Sequence, residues 1–507
     1  MVLKNFRNEI DEIDSEILKL LDERMAVALK VAKYKEANKL PVLNSNREQD
    51  IFNNIEQKVS NDIKDYIKEI YKEILNQSKL YQNSYMNENH FDNSHCCGLV
   101  GEHLSHSFSK SLHQLYAPYP YKLFEIPPTN LETFIKNKNY MGLNVTIPYK
   151  VEVMKYCDHI DDIAKEIGSV NTIYLKDNEI YGTNTDYDGF MYLTKTANID
   201  FSNKVVLILG SGGASLTVQK AAKDLGASKV YVASRNGEIN YQNLPYEAQI
   251  IVNTTPIGTY PNNSQKLLDL ELFKKLNGVI DLIYNPQKTP LLLQASNLGV
   301  KYANGLAMLV GQGTAASEFW SKDFKYTSLN SILTIELTKQ KTNIILIGMP
   351  GSGKSTIGKI LASLLKMPFV DTDQEINKFG KNPADIIIQS GEAHFRTIES
   401  QVISQLSKQQ GQVIATGGGS VLSEDNQNAL RQNGIIIHIN RDLNLLSTNA
   451  RPLSKDIATL TSLYKTRFPI YNRLMDFTVD NNGEISQAIT NVIEQLGGYY
   501  EKNHFNR

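Results

Sequence analysis

Cysteine is scarce in this chain. Its 507 residues hold three, Cys96, Cys97 and Cys157, with no Cys-x-x-Cys spacing. That argues against a disulfide framework or a thiolate zinc site and fits a reducing compartment. An excess of charge is also lacking. Lys and Arg number 53 against 54 Asp and Glu, which leaves no basic field for nucleic acid or for an anionic membrane surface. No run of about 18 apolar residues occurs, so no helix is expected to span a bilayer. The opening Met-Val-Leu-Lys-Asn-Phe-Arg runs at once into a charged helical pattern without an apolar signal core. The expectation is a cytoplasmic protein that binds neither nucleic acid nor membrane.

What the chain does hold is a phosphate-binding turn, Gly348-Met349-Pro350-Gly351-Ser352-Gly353-Lys354-Ser355. An apolar strand-like run, Asn343–Ile347, precedes it, and a helical pattern, Thr356–Leu365, follows. Glycines let backbone N–H groups wrap a polyphosphate, Lys354 reaches the β- and γ-phosphates, and Ser355 ligates Mg²⁺. A chance glycine-rich turn is the competing explanation, and the flanking strand and helix weigh against it. The last third of the chain is therefore expected to bind ATP through Gly351, Ser352, Gly353, Lys354, Ser355 and Thr356.

The length suggests about three or four domains. Residues 3–37 place Phe6, Ile10, Ile13, Ile17, Leu20, Leu21, Met25 and Leu29 at helical spacing among charged residues, the pattern of one long amphipathic helix. Pro41 closes it, and residues 46–59 and 62–82 give two more helices. The polar, Asn-rich segment 83–95 reads as a linker. From about residue 97, short β runs alternate with helices (98–101, 121–125, 142–146, 172–175, 204–210, 229–233), which predicts parallel sheets with right-handed crossovers. A helical segment, Met308–Trp320, closes this module, and a second connector covers 322–341.

In the first module, cations sit where bundle packing alone does not need them: Arg7, Arg24, Lys35, and Arg47 beside Glu48. Ser78 and Gln82, four apart, share one helix face. By periodicity alone a dimerisation bundle with a solvated charged face is the natural reading. The set nevertheless resembles the all-helical chorismate mutase family over essentially the whole module. That resemblance implies a rearrangement of chorismate to prephenate by conformer selection and charge stabilisation. Arg7, reaching across a dimer, and Arg24 would clamp carboxylates. Lys35 and Gln82 would donate to the ether oxygen and Glu48 would accept from the substrate hydroxyl, with Arg47 and Ser78 in the same site. Asn44 stands where the family often has Asp.

In the second module, Gly210-Ser211-Gly212-Gly213-Ala214-Ser215 follows a strand and opens a helix, a dinucleotide-type turn. Ser215 replaces the last Gly of the usual pattern. The next strand ends Ala233-Ser234-Arg235-Asn236, where Arg235 suits the 2′-phosphate of NADP better than the ribose of NAD. An ordinary surface arginine is the alternative. Around this turn lie Ser105-His106-Ser107-Phe108-Ser109, Asn144–Lys150, Ser169–Thr172, Gly182–Asp186, Asn253–Gly258, Asp281–Tyr284 and Asn304–Gln312. In that order they resemble shikimate dehydrogenase. The resemblance implies Lys150 and Asp186 as the proton-handling pair, Ser107 and Ser109 on the carboxylate, and Thr146, Asn171, Tyr284 and Gln312 on hydroxyls or the carboxylate. Lys110 stands in place of a common proline, and quinate is the runner-up substrate.

In the third module, the phosphate turn is joined by Asp371-Thr372-Asp373, Phe395-Arg396-x-x-Glu399, Thr416-Gly-Gly-Gly-Ser420, Arg451-Pro452-Leu453 and Arg467–Tyr471. P-loop kinases are many, and gluconate or a nucleotide is an alternative acceptor. The set resembles shikimate kinase. Arg396 and Arg467 would grip a carboxylate, Gly418 and Gly419 would allow close backbone approach, and Asp373 would accept the hydroxyl proton. Asp371 would hold Mg²⁺ through water, and Arg451 would close a short lid over the phosphates.

The expected architecture is thus multidomain. Residues 1–88 form an all-α three-helix domain. Residues 97–335 form a two-lobed α/β domain, with a substrate lobe 97–200 plus C-terminal helices and a Rossmann-type NADP lobe 201–303. Residues 342–500 form an α/β P-loop domain with a parallel sheet. The expected substrates are chorismate, 3-dehydroshikimate and shikimate, and the expected assembly is a homodimer through the first domain. The rival is a first domain that only dimerises or senses product.

Overall fold

The computed structural model describes residues 2–37, 45–60, 62–88, 96–104, 107–321, 324–378, 383–446 and 457–505. Asn44, Ser105, His106 and Arg451 lie outside the described residues, as does the side chain of Glu48. The chain divides into two compact units, Met1–Thr185 with Gln312–Leu329, and Asp186–Gly311 with Asn330–Arg507.

The first unit opens with three helices, α1 (Val2–Ala37), α2 (Ser45–Lys58) and α3 (Lys64–Glu88). Helix α3 runs six residues into the segment read as linker, since extending a formed helix costs far less than starting one. Both α1 and α2 pack on α3. Ala28 and Ala32 are buried on α1, whereas Phe6, Ile10, Ile13, Ile17 and Leu20 stay exposed. The apolar stripe legible in the sequence therefore has no partner within the described part of its own unit.

A six-stranded sheet follows: β1 (Cys97–Gly101), β2 (Tyr121–Glu125), β3 (Gly142–Val145), β4 (His159–Ile160), β5 (Thr172–Lys176) and β6 (Glu179–Thr183). Its order is β2-β1-β3-β5-β6-β4. The sequence reading of parallel sheets holds for β1–β2, β1–β3 and β4–β6 and fails at β3–β5 and β5–β6, which pair antiparallel. The cause is local. Asp177 and Asn178 both adopt positive φ, 52° and 60°, the backbone of a two-residue hairpin turn. Val100, Leu143, Val145 and Ile173 build the core against Leu131, Ile135 and Tyr140. Cys96 and Cys97 are free, buried thiols.

The second unit holds two five-stranded sheets that are parallel throughout. The first comprises β7 (Val205–Leu209), β8 (Lys229–Ala233), β9 (Ile250–Asn253), β10 (Gly278–Asp281) and β11 (Lys301–Asn304), in the order β11-β10-β9-β7-β8. Alternate side chains feed opposite faces. Val206 and Ile208 pack with Val218 and Ala222, while Leu207 and Leu209 pack with Leu291 and Leu292. The topology reverses at β7, and ligands of such sheets bind beyond the strand ends at that point.

The second sheet comprises β12 (Asn343–Ile347), β13 (Phe369–Asp371), β14 (Val413–Ala415), β15 (Gly434–Asn440) and β16 (Phe477–Asp480), in the order β13-β14-β12-β15-β16. Its reversal falls at β12, which delivers the phosphate turn. The stretch read as a connector is partly a helix, Asn330–Lys341, with Leu333 and Leu337 buried. Thr334, Thr338 and Thr342 each donate to the carbonyl four residues back at 2.7 Å. Threonine is a poor helix former on its own, and packing overrides that preference here.

Candidate active sites

In the helical module, Ser78 and Gln82 are buried on α3, and Gln82 Nε2 donates to the Ser78 carbonyl at 3.1 Å. Gln82 Oε1 and Arg24 Nη1 are buried without a hydrogen-bond partner. Buried polar atoms are almost always paired, so each of these two is a candidate contact for a polar ligand. Lys35 is half-buried near the end of α1, and Arg7 and Arg47 are exposed.

In the six-stranded lobe, Ser107 and Ser109 stand at the start of the helix Ser109–Tyr116, with their Oγ atoms 3.1 Å apart. The Ser109 amide donates to Ser107 Oγ at 3.2 Å. A buried amide network lies at the C-terminal end of β3 and the start of β5. Asn144 Nδ2 and Asn171 Nδ2 both donate to Gln312 Oε1 at 3.4 Å. Asn171 Oδ1 accepts from the Thr185 amide at 2.6 Å, and Tyr121 OH donates to Asn144 Oδ1 at 2.8 Å. Thr172 and Thr185 share a hydrogen bond of 2.8 Å. Asn171 and Gln312 were singled out from the sequence. Asn144, Thr172, Thr185 and Tyr121, which orient them, were not, although three of those four lie inside the quoted motifs. Thr146 and Lys150 follow β3 and are half-buried, and the Lys150 carbonyl accepts from the Val170 amide at 2.8 Å.

In the second unit, Asp186 is buried at the first position of the helix Asp186–Thr196. The turn after β7 holds Gly210 at φ 109°, where a Cβ would meet Thr254 Oγ1 at 2.6 Å. Gly212 has open space around it, and Gly213 and Ala214 open the helix Gly213–Asp224. Ser215 is buried one turn in, where its Oγ accepts from Gln219 Nε2 at 3.2 Å. A side chain is thus accommodated at the position where the usual pattern has its last glycine. Ser234, Arg235 and Asn236 follow the end of β8, with Arg235 and Asn236 exposed. Tyr284 lies three residues past β10.

The phosphate turn after β12 has Gly351 and Gly353 at φ 85° and 99°. Lys354 Nζ donates to the carbonyls of Gly348 and Met349, both at 2.9 Å, which curls the loop around its own lysine. Ser355 Oγ donates to Asp371 Oδ2 at 2.5 Å, and Asp371 Oδ1 accepts from the Asp373 amide at 3.0 Å. Thr356 is exposed beside them, and Ser352 Oγ is buried without a partner.

The glycine run at 417–419 is pressed between these parts. A Cβ on Gly417 would meet Glu399 Oε1 at 2.9 Å and Asp373 Oδ1 at 3.2 Å. One on Gly418 would meet Pro350 Cδ at 2.7 Å, and one on Gly419 would strike the Arg396 guanidinium. Tyr471 OH donates to the Gly418 carbonyl at 2.5 Å. Arg467, one helical turn before Tyr471, is buried with Nε unpaired. The structure so gathers Asp373, Arg396, Gly418 and Gly419 beside the phosphate turn. Sequence reasoning gave no role to Glu399, Ser420 or Tyr471, though all three stand in the quoted motifs.

These features define a multidomain α/β enzyme with one dinucleotide-type cradle and one P-loop cradle, behind a helical module. Three family models match it in order: "Chorismate mutase type II" at residues 6–83, "Shikimate dehydrogenase substrate binding domain" at 99–173 and "Shikimate kinase" at 350–497. A shikimate dehydrogenase (NADP(+)) of Clostridium beijerinckii is 39% identical over 246 residues, 44% of this chain and 91% of that protein. One of Methanococcus vannielii is 38% identical over 256 residues, 44% of this chain and 90% of that protein. Among solved structures, a chorismate mutase/shikimate 5-dehydrogenase fusion protein from Clostridium acetobutylicum is 37% identical. It covers 48% of this chain and 96% of that one with a TM-score of 0.45. Shikimate dehydrogenase 1 from Peptoclostridium difficile is 40% identical, covering 48% and 97% with a TM-score of 0.44. The chain belongs to the shikimate dehydrogenase family, with a chorismate mutase domain before that region and a shikimate kinase domain after it.

Proposed function

We propose that this chain reduces 3-dehydroshikimate to shikimate with NADPH, phosphorylates shikimate with Mg-ATP, and rearranges chorismate to prephenate. The observation that supports it best is the succession of three matched segments along one chain. The proposed domain limits are 1–88, 97–335 and 342–500.

In the mutase, Arg24 and Arg7 of a second subunit clamp the two carboxylates. Lys35 and Gln82 donate to the breaking ether oxygen, Glu48 accepts from the hydroxyl, and Arg47 and Ser78 complete the pocket. A millionfold acceleration requires about 8 kcal/mol, which several charge-assisted bonds in a dry site supply. The exposed stripe on α1 supports a homodimer through this module. A module that only dimerises is the second reading, favoured by that same stripe.

In the dehydrogenase, NADPH supplies the hydride. The open space at Gly212 and the positive φ at Gly210 suit a pyrophosphate, with Gly213, Ala214 and Ser215 at the helix start and Ser234, Arg235 and Asn236 at the 2′-phosphate. Lys150 with Asp186 delivers the proton that the new alkoxide needs. Ser107 and Ser109 hold the carboxylate. Thr146, Asn171, Tyr284 and Gln312 hold the remaining oxygens.

In the kinase, Gly351 through Thr356 cradle the phosphates and Arg451 closes over them. Ser355, and Asp371 through water, fit Mg²⁺, since their oxygens already converge. Asp373 accepts the hydroxyl proton while Arg396, Arg467, Gly418 and Gly419 hold the acceptor, so alignment and charge neutralisation carry the transfer. The balanced charge and low cysteine content support a cytoplasmic setting. The test is to assay the purified chain separately on chorismate, on shikimate with NADP, and on shikimate with ATP. Silence in any one removes that activity.

A further inference from the structure

Within the second unit, hydrogen bonds from the kinase module converge on one loop of the dinucleotide lobe. The loop follows β10 and runs from Leu282 to Thr289. Asp281 anchors its inner end. This buried carboxyl accepts from Asn253 Nδ2 at 2.9 Å, from the Ile283 amide at 3.1 Å and from Thr289 Oγ1 at 2.5 Å.

The outer turn is held from the kinase side. Gln410 Nε2 donates to Asn285 Oδ1 at 2.7 Å, and the Gln287 amide donates to Asn433 Oδ1 at 2.9 Å. The Lys288 amide donates to the Gln432 carbonyl at 2.8 Å, and Gln287 Nε2 donates to Thr342 Oγ1 at 2.8 Å. Asn433 is 2% exposed. It is braced in turn, with Nδ2 donating to Tyr260 OH at 2.9 Å and to the Ser407 carbonyl at 3.1 Å.

Residues 432 and 433 end the helix Glu424–Asn433 and lead directly into β15, the strand that pairs with β12 beneath the phosphate turn. Two successive backbone amides of the loop are therefore satisfied by a rigid strand entrance. Surface loops that carry functional side chains are ordinarily mobile, and fixing one in its working shape lowers the cost of binding. The loop so fixed is the one that carries Tyr284.

We propose that Asn433 and Gln410, both in the kinase module, are positioning residues for the dehydrogenase, holding the Tyr284 loop in the shape that receives shikimate. This rests on the reading of Tyr284 as a shikimate-binding group. The kinase is then a structural part of the enzyme that precedes it in the chain, beyond any benefit of proximity.

The test uses the full chain with Gln410→Ala, Asn433→Ala and Tyr260→Phe, and Tyr284→Phe as reference. Dehydrogenase kcat, KM for shikimate, KM for NADP and kinase turnover are measured on each preparation. Gln410→Ala and Asn433→Ala are expected to raise KM for shikimate about 3- to 10-fold, the range of one neutral hydrogen bond. Their kcat, KM for NADP and kinase turnover should stay within about twofold. Tyr260→Phe, which leaves both bonds to the loop in place and loses a brace on Asn433 together with the Tyr260 OH donation to the Ser407 carbonyl at 2.9 Å, should give a smaller rise. If Tyr284→Phe raises KM while Gln410→Ala and Asn433→Ala do not, the positioning role is overturned and the Tyr284 reading stands. If Tyr284→Phe leaves KM unchanged, both fall. A parallel loss of NADP affinity and kinase turnover means general destabilisation and also overturns the proposal. Should Asn433→Ala fail to fold, Gln410→Ala, at a half-buried position, decides alone.

Discussion

Arg396 Nη1 lies 2.7 Å from Glu399 Oε2, and Glu399 is 1% exposed. Glu399 Oε1 accepts from Ser420 Oγ at 2.6 Å, and Glu392 takes Arg396 Nη2 at 2.8 Å. The guanidinium is thus oriented from two sides before any substrate arrives. Glu399→Gln keeps the shape but removes the charge that fixes this fork. It is expected to raise the kinase KM for shikimate about tenfold, with the KM for ATP within about twofold. Steady-state kinetics with each substrate varied in turn checks this.

Arg467 is 4% exposed, and its Nε has no partner. A buried cation with an idle donor is set for an anion. Arg467→Leu is expected to raise the shikimate requirement of the kinase by about a hundredfold or more and that for ATP by far less. Equal losses for both substrates would contradict the assignment.

For the mutase, Lys35→Ala is expected to abolish prephenate formation while the mass of the assembly in light scattering is unchanged. A loss of about a thousandfold corresponds to about 4 kcal/mol of transition-state stabilisation. Retained activity would leave the helical module as a dimerisation element.

His438 lies buried on β15, and burial, reinforced by the Lys354 charge, pushes its pKa down to about 4. A histidine held neutral in the fold stabilises it above the unfolded value of about 6.5, and this contribution is lost as pH falls from there toward 4. By pH 5 the kinase module is expected to lose about 2 kcal/mol from this group. Urea melts of the full chain at pH 7 and pH 5 test it. His438→Gln should flatten the acid side of that profile.

Legibility followed the physics of each feature. The turn at 348–355 was readable because glycines, a lysine and a serine at fixed spacing have a backbone mechanism of their own. The antiparallel hairpin was missed, although Asp177-Asn178 carries the local signal. The helix at 330–341 was missed because its threonines and branched residues favour it only once Leu333 and Leu337 are buried. Glu399 and Ser420 sat in plain view inside motifs. Nothing in a lone carboxylate says that it will be buried against an arginine three residues earlier in the chain. The amides of Gln287 and Lys288 were beyond any reading of side chains, because backbone donors look alike at every position.

The bare apolar strip along the first half of α1 has a consequence for anyone who dilutes this enzyme. Two of the three catalytic rates should scale with the amount of chain at every concentration. The third, if its pocket borrows Arg7 from a neighbour as proposed, should fall faster than linearly once subunits separate. A dilution series read by three assays on one sample would expose that divergence.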